Sequence, residues 1–167
     1  NKNYKPESIS LSGNTDCYQP AERKFKITRQ LLEVFNEYQH PVGIITKNNL
    51  VLRDVDILSE MAKRNLVHVM VSITSMREDL RLLMEPRTVT TRNRLKVVES
   101  LTLAGIPTGV MIAPVIPGMN SDEIPDLVKA SANHGAVTVG YTMLRLNGSV
   151  KELFHDWLYK CMPDAAD

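Results

Sequence analysis

Polar side chains of complementary chemistry follow several apolar runs of the sequence, and together they suit a zwitterionic ligand that carries a flat ring. Asp16 offers a carboxylate, Lys47 an ammonium group and Ser72 a hydroxyl. We expect Asp16 to bind an amino group, and Lys47 and Ser72 to bind a carboxylate, because charge-assisted hydrogen bonds are strong polar contacts. Apolar residues such as Pro114 and Met143 would form the surface against which the ring lies.

Each polar residue also has a structural interpretation that the sequence leaves open. Asp16 would equally serve as a cap for the helix that follows it, and Lys47 would equally lie solvated at the surface. Ser72 would equally bond to backbone inside its apolar run. Cys17 is the only thiol near the expected site, but no histidine is placed to activate it, and the four histidines lack metal-ligand spacing.

Alternating strand and helix signals run along the chain and must position these residues. Short apolar or alternating runs predict five strands, at residues 8–12, 41–46, 67–73, 108–115 and 136–144. Amphipathic stripes predict helices between and after them, and Asn120 and Glu123 have the spacing of a capping box. Successive β-α units imply parallel strands with right-handed crossovers. In such sheets ligands bind at the carboxyl ends of the strands.

Two architectures agree with a parallel α/β sheet, an open doubly wound sheet and a barrel. Neither G-x-G-x-x-G nor G-x-x-x-x-G-K-[ST] occurs in the sequence, which weakens the dinucleotide-binding form of the open sheet. Five units are too few for a closed eight-stranded barrel, so a barrel built from this chain would be partial. The strand pattern alone leaves both architectures open.

The composition is that of an ordinary soluble globular protein, with 43% hydrophobic residues, 23% charged residues and a net charge of +1. This charge points to neither nucleic acid nor a membrane surface, and no apolar run approaches the ~20 residues that a membrane helix needs. The two cysteines, Cys17 and Cys161, are far apart and suggest no disulfide framework. We therefore expect a cytoplasmic protein in a reducing compartment.

Six short segments occur in an order that is typical of one protein family. They are residues 13–22 (GNTDCYQPAE), 46–47 (TK), 71–74 (VSIT), 84–87 (MEPR), 113–120 (APVIPGMN) and 140–146 (GYTMLRL). Together they resemble radical S-adenosylmethionine (radical SAM) proteins related to spore photoproduct lyase, and the match extends over nearly the whole chain. The family commonly has proline at the position of Cys17, a turn residue whose replacement removes no chemical group.

The resemblance implies that residues 1–167 belong to a radical SAM core, a partial (β/α)6 barrel that binds S-adenosylmethionine (SAM) across its strand ends. It implies reductive cleavage of SAM at a [4Fe–4S] cluster, giving a 5′-deoxyadenosyl radical that abstracts hydrogen from a substrate. An electron donor such as flavodoxin or ferredoxin would be a partner. DNA-lesion repair is the substrate class that the relationship suggests, although the chain shows no basic stripe for nucleic acid.

The resemblance also assigns residues to SAM. They are Asn14, Thr15, Asp16, Lys47, Ser72, Pro114, Val115, Tyr141 and Met143. The first three belong to the segment that meets the amino group, the next two resemble the residues that meet the carboxylate, and the last four fall where the adenine is held. The resemblance identifies no catalytic residue beyond these cofactor contacts.

One departure from the family is the absence of C-x3-C-x2-C, the motif whose three thiolates hold the cluster. Cys17 and Cys161 cannot supply that set, so we expect no metal ligand in this chain, with the cluster-binding strand and loop upstream. The chain by itself would then be inactive. Two other hypotheses remain, a non-enzymatic α/β module that binds an amino-acid-like ligand, and a barrel that uses Lys47 as a Schiff-base amine.

Overall fold

The computed structural model describes residues 3–163, and these contain a five-stranded sheet whose strands follow chain order. The strands are β1 (Ile9–Leu11), β2 (Val42–Thr46), β3 (Val67–Ser72), β4 (Thr108–Val115) and β5 (Thr138–Met143). Each strand is parallel to its neighbour. This sheet of successive parallel strands joined through helices confirms the predicted partial (β/α) barrel, and all five predicted strands are present.

Helices connect the strands and follow the last one. They are α1 (Glu22–Phe25), α2 (Ile27–Glu37), α3 (Val55–Ala62), α4 (Glu78–Met84), α5 (Thr91–Leu103), α6 (Ile124–Asn133) and α7 (Ser149–Cys161). Short 3₁₀ helices, Asn49–Asp54 and Ser121–Glu123, lead into α3 and α6. Among residues 3–163, no helix has the length and apolar character needed to cross a bilayer.

Alternation along the strands sends one set of side chains into the core and the next set to the opposite face. Val69 and Val71 of β3 are buried in a core shared with the helices, as are Val110 and Ile112 of β4. Leucines of the helices complete this core, among them Leu32, Leu58, Leu101 and Leu127. The opposite face carries Ser72, so the sheet itself separates the apolar core from the polar strand ends.

Two helical segments differ from the sequence pattern. The helix expected after Pro20 is interrupted at Lys26, which adopts a left-handed backbone conformation with φ 51° between α1 and α2. The side chain of Glu22 accepts the backbone N–H of Thr28 at 3.0 Å, so a residue of α1 satisfies the first turn of α2. The long connection before residues 85–88 contains α4, a helix that the sequence analysis did not predict.

The last helix, α7, packs beside the carboxyl ends of the strands instead of covering β5. Its Leu158 is buried in a small apolar cluster with Leu80 of α4 and Ile116, which follows β4. The side chains of Phe154 and Trp157 pack against this cluster. The helix therefore forms one side of the surface at which the polar residues meet.

Candidate functional site

A cleft of about 580 Å³ lies at the carboxyl ends of the strands. Its volume is within the ~300–1,000 Å³ of small-molecule sites. Seven of the residues predicted to bind SAM line it, namely Asn14, Thr15, Asp16, Lys47, Ser72, Pro114 and Met143. The structure thus brings together residues that are up to 129 positions apart in sequence, between Asn14 and Met143. This convergence follows from the parallel sheet, because every strand ends at the same edge.

Asp16 joins the end of β1 to the end of β2. Its carboxylate accepts hydrogen bonds from the hydroxyl of Thr46 and the backbone N–H of Lys47, both at 2.8 Å. It also accepts the backbone N–H of Tyr18 at 2.9 Å, a local turn contact that precedes α1 rather than a cap of that helix. A carboxylate has about four acceptor sites, so these three donors leave room for one more on the cleft side.

A buried ionic cluster fixes the loop that carries Asp16. The hydroxyl of buried Tyr18 donates to Asp54 at 3.1 Å. Arg53 donates to Asp54 and to Glu22, each at 2.7 Å. Burial raises the pKa of the Tyr18 phenol, and the nearby Asp54 charge raises it further, so the hydroxyl remains a donor. Burial opposes the ionised form of Glu22, but its hydrogen bond from Arg53 prevails and its pKa is lowered.

Cys17 lies close to the cleft but is not built as a reactive thiol. It is half-buried, and burial is the main reason that its pKa is raised to about 11. A hydrogen bond with Ser12 lowers the pKa, whereas the charge of Asp16 raises it. The thiol is therefore protonated at neutral pH, whereas nucleophiles and cluster ligands are thiolates. Within residues 3–163, no group of three or more His, Cys, Asp or Glu side chains is arranged to hold a metal ion.

Lys47 extends to Glu85, a residue to which sequence reasoning assigned no role at the site. The Lys47 ammonium forms an ion pair with the Glu85 carboxylate, which also accepts from the Thr74 hydroxyl at 2.8 Å and from Arg94 at 2.7 Å. Burial disfavours the charge of Glu85, but Arg94 and Lys47 outweigh that effect and lower its pKa. Glu85 is therefore an anion between two cations. The sequence could have indicated a role for Glu85, because it lies in the 84–87 segment that resembles the family.

Ser72 remains open to the cleft although it is only 5% exposed. Its backbone carbonyl accepts from Arg94 at 2.8 Å, which ties the end of β3 to α5. No residue within the described range 3–163 forms a hydrogen bond with its hydroxyl. Every buried polar side-chain atom in that range does have a partner, so the Ser72 hydroxyl is not a buried atom. The hydroxyl is thus reachable from the cleft, and the alternative in which it bonds to backbone is wrong.

Two residues predicted to hold the adenine do not line the cleft. Val115 is buried in the core, because the β4–β5 register shifts between Ile112 and Val115 and turns the neighbouring Pro114 toward the cleft instead. Tyr141 is 68% exposed, and Thr142, the next residue of β5, lines the cleft in its place. The cleft wall also includes residues that the sequence analysis did not select, Ser12, Met111, Ala113 and Arg145 among them. Strand alternation was the signal for Met111 and Ala113.

The loop after β4 is held by two side chains that the sequence analysis read as a capping box, and that prediction is wrong. Buried Asn120 accepts the backbone N–H of Ile116 at 2.7 Å and donates to the Thr74 carbonyl at 2.8 Å. Glu123 accepts the hydroxyl of Ser75 at 2.7 Å. Both side chains reach across to the segment that follows β3, where they bind the Thr74 carbonyl and the Ser75 hydroxyl. They thereby hold one wall of the cleft.

Comparison with known protein families and sequences agrees with the resemblance seen in the sequence segments. The family model described as Radical SAM superfamily matches residues 1–130. An uncharacterised protein of Mycobacterium tuberculosis is 30% identical over an alignment of 163 residues, and the alignment covers 96% of this chain and 48% of that protein. The chain thus spans about half the length of the curated relatives it matches first.

Two solved structures share the fold. A spore photoproduct lyase mutant with bound AdoMet and dinucleoside spore photoproduct has a TM-score of 0.67 at 17% identity, covering 93% of this chain and 46% of its own. SuiB of Streptococcus suis, bound to precursor peptide SuiA, has a TM-score of 0.64 at 16% identity, covering 92% of this chain and 36% of its own. At these identities the likeness concerns the fold, and it confirms the partial barrel expected from the sequence.

Proposed function

The chain belongs to the radical SAM superfamily, and on that premise we propose that it is the SAM-binding core of a radical SAM enzyme. The observation that carries the proposal is the cleft, where the Lys47 ammonium, the open Ser72 hydroxyl and the Asp16 carboxylate stand together at the strand ends. These are the groups that a zwitterionic amino acid needs. One electron from a reduced [4Fe–4S] cluster would cleave bound SAM to methionine and a 5′-deoxyadenosyl radical, which would abstract hydrogen from a substrate.

The carboxylate of SAM is assigned to Lys47 and Ser72. An ammonium group has three donors, so Lys47 can keep its ion pair with Glu85 and still donate to a ligand. Its side chain is 35% exposed, which leaves the ammonium accessible from the cleft. Glu85, anchored by buried Arg94, then restricts where the ammonium can lie. The ligand carboxylate would meet a donor that is already positioned.

The amino group of SAM is assigned to the segment of Asn14, Thr15 and Asp16. Three donors already bind Asp16 and leave about one acceptor site for an ammonium. Asn14 and Thr15 are exposed beside it and line the same cleft. Because Asp16 is fixed by β2, this segment would orient the methionine end of SAM rather than simply attract it.

The adenine ring is assigned to the apolar side of the cleft, formed by Pro114 and Met143 together with Met111 and Ala113. Val115 would support this surface from the core side, and Tyr141 is left without a contact to the ring. An apolar surface opposite a polar one would keep SAM in a single orientation.

The [4Fe–4S] cluster of the superfamily does not fit the residues of this chain. The chain has two cysteines, of which Cys17 is a protonated thiol at neutral pH, whereas such clusters are held by several thiolates. We propose that the cluster ligands belong to another part of a longer protein, which would also receive the electron from a flavodoxin- or ferredoxin-like donor. Residues 1–167 alone would bind SAM without cleaving it.

The substrate does not follow from the fold, since the two neighbouring structures hold a dinucleoside photoproduct and a precursor peptide. DNA-lesion repair gains no support from the net charge of +1. The Schiff-base hypothesis loses support because that reaction needs a neutral amine, whereas Lys47 is ion-paired. A cytoplasmic location remains our proposal, consistent with free Cys17 and Cys161.

The test uses the whole protein, reconstituted with iron and sulfide, reduced with dithionite and given SAM, with 5′-deoxyadenosine as the readout. SAM binding is measured separately by calorimetry for Lys47→Ala and for Lys63→Ala, a lysine that pairs with Glu60 far out on the surface. Loss of a charge-assisted contact should weaken binding by roughly 10- to 100-fold in Lys47→Ala and leave Lys63→Ala unchanged. Binding without 5′-deoxyadenosine, despite an assembled cluster, would instead support the binding module.

A further inference from the structure

A second cavity, of about 440 Å³, adjoins the cleft and is not used by the proposed SAM contacts. Its walls are mostly apolar and include Ile116 and Leu144 from the strand ends, with Phe154 and Trp157 from α7. Because α7 packs beside the strand ends rather than over β5, it encloses space there. The position of this helix therefore creates a cavity next to the site of chemistry.

The two cavities share part of a wall. Lys47 and Pro114 line both of them, and Glu85 lines the second. A group held in the second cavity would therefore lie one side chain away from a ligand in the cleft. In the proposed function, a substrate must lie beside bound SAM for its hydrogen to be abstracted, and this cavity adjoins the cleft.

The polar part of the second cavity is already neutralised. Glu85 is the carboxylate of its wall, and it binds Lys47, Thr74 and Arg94. Arg94 is only 1% exposed and does not reach the cavity surface. In the proposed function the remaining donors of Lys47 bind the carboxylate of SAM, so a second charged group in this cavity would find no free partner. The cavity thus favours an uncharged group.

The aromatic wall selects among uncharged groups. The rings of Phe154 and Trp157 have centroids 5.5 Å apart and planes tilted by 36°. Such a pair presents faces and edges at which a third ring gains contact beyond the apolar area it buries.

We infer that this second cavity is a substrate subsite that binds a flat, uncharged aromatic group, with the rest of the substrate directed past Lys47 toward the cleft. The inference rests on the proposed function only in calling the bound group part of a substrate. Binding of an aromatic group to the cavity does not depend on it. On this inference the enzyme binds the aromatic ring of its substrate in one cavity and SAM in the other, and each binding can be measured without the other.

The experiment uses the fact that the chain has a single tryptophan, Trp157, in the cavity wall. Its indole N–H gives the only such resonance in a ¹H–¹⁵N spectrum of the 167-residue protein. The probes are 2-naphthol and decahydro-2-naphthol, which share a carbon skeleton but differ in that one is flat and the other puckered. We expect 2-naphthol to shift the indole resonance and to bind about two- to tenfold more tightly than its saturated analogue.

Two matched variants locate the binding. Leu153→Asp places a charge at the cavity wall, where the wild-type side chain is 67% exposed, and should weaken 2-naphthol binding. Leu103→Asp makes the same change on α5, where leucine is 82% exposed, and should leave it unchanged. Equal affinity for the two probes, an unmoved indole resonance, or equal effects of the two variants would each overturn the inference. Calorimetry with SAM on the same samples keeps this outcome separate from the proposed function, which fails only if SAM does not bind to them or is not cleaved by the whole reconstituted protein.

Discussion

Replacing Glu85 with glutamine tests the ion network that supports the proposed SAM cleft. The change keeps the size of the side chain and removes its charge, leaving Arg94 without its carboxylate at 2.7 Å. Breaking a buried ion pair costs about 3–5 kcal/mol. Arg94 keeps the carbonyl oxygens of Ser72 and Val89 as acceptors at 2.8 and 2.9 Å. We therefore expect a loss of about 2–3 kcal/mol in the free energy of unfolding at neutral pH.

The contribution of Lys47 to this loss should be small. Its side chain is 35% exposed, and ion pairs that solvent can reach contribute about 0–1 kcal/mol. Most of the effect must therefore come from the pair between Glu85 and Arg94, whose side chains are 9% and 1% exposed. Replacing Lys47 with alanine should destabilise the fold less than Glu85→Gln does, although it should weaken SAM binding more.

The dependence on pH provides a sharper test than the magnitude. The folded protein lowers the pKa of Glu85 below its ordinary value of 4.5, because Arg94 and Lys47 outweigh the effect of burial. A lowered pKa means that the stabilisation is complete above pH 4.5 and is lost as the pH falls through the folded-state pKa. The difference in unfolding free energy between wild type and Glu85→Gln should therefore shrink on acidification below 4.5.

Urea unfolding of the two proteins at neutral and acid pH measures this difference. Glu60→Gln is the matched control, since Glu60 also pairs with a lysine but both side chains are more than half exposed. That control should change stability by no more than about 0.5 kcal/mol at any pH. An equal effect of the two variants, or a Glu85→Gln effect that does not diminish in acid, would refute the assignment of Glu85 as the buried anion of the network.

Two further predictions concern residues around the cleft. Cys17, whose pKa is raised to about 11, should react with iodoacetamide at neutral pH at least about tenfold more slowly than exposed Cys161. Mass spectrometry of timed samples measures both rates. Comparable rates would contradict a buried, protonated thiol at Cys17. Asn120→Ala removes buried hydrogen bonds to the backbone of Ile116, Thr74 and Pro114, and should lower the free energy of unfolding by about 3 kcal/mol. Asn133→Ala, an exposed asparagine at the end of α6, should change it by less than about 0.5 kcal/mol, and a similar change in both would refute the bridging role of Asn120.

Sequence reasoning recovered the strands and the edge at which the site forms because both depend on local patterns. Buried parallel strands are short β-branched runs, and the residues that follow them collect at one edge whatever the helices do. Asp16, Lys47 and Ser72 follow or end β1, β2 and β3, and they line one cleft as expected. The element bounds were less predictable at Lys26, where a contact from Glu22 divides one amphipathic stripe into two helices.

The partners of the site residues could not be predicted in the same way. Glu85 pairs with Lys47 from a position 38 residues away, and Asn120 reaches Thr74 across 46 residues. Spacing along a helix suggested that Asn120 and Glu123 would cap α6, yet both side chains turn to the end of β3 instead. Hydrogen bonds to the buried segment after β3 replace local capping, because polar groups that are buried away from water need partners.

The sequence by itself indicated the superfamily through the resemblance of its ordered segments. It also determined that the strands are parallel and identified half of the residues that line the cleft, because strand periodicity and strand ends are properties of neighbouring residues. The tertiary structure decided which of those residues remain free for a ligand. It bound Lys47 to Glu85, left the Ser72 hydroxyl open and moved Val115 into the core through a register shift. It also set α7 beside the strand ends and so formed the second cavity. These outcomes depend on contacts between segments distant in sequence, where burial and charge pairing outweigh local preference.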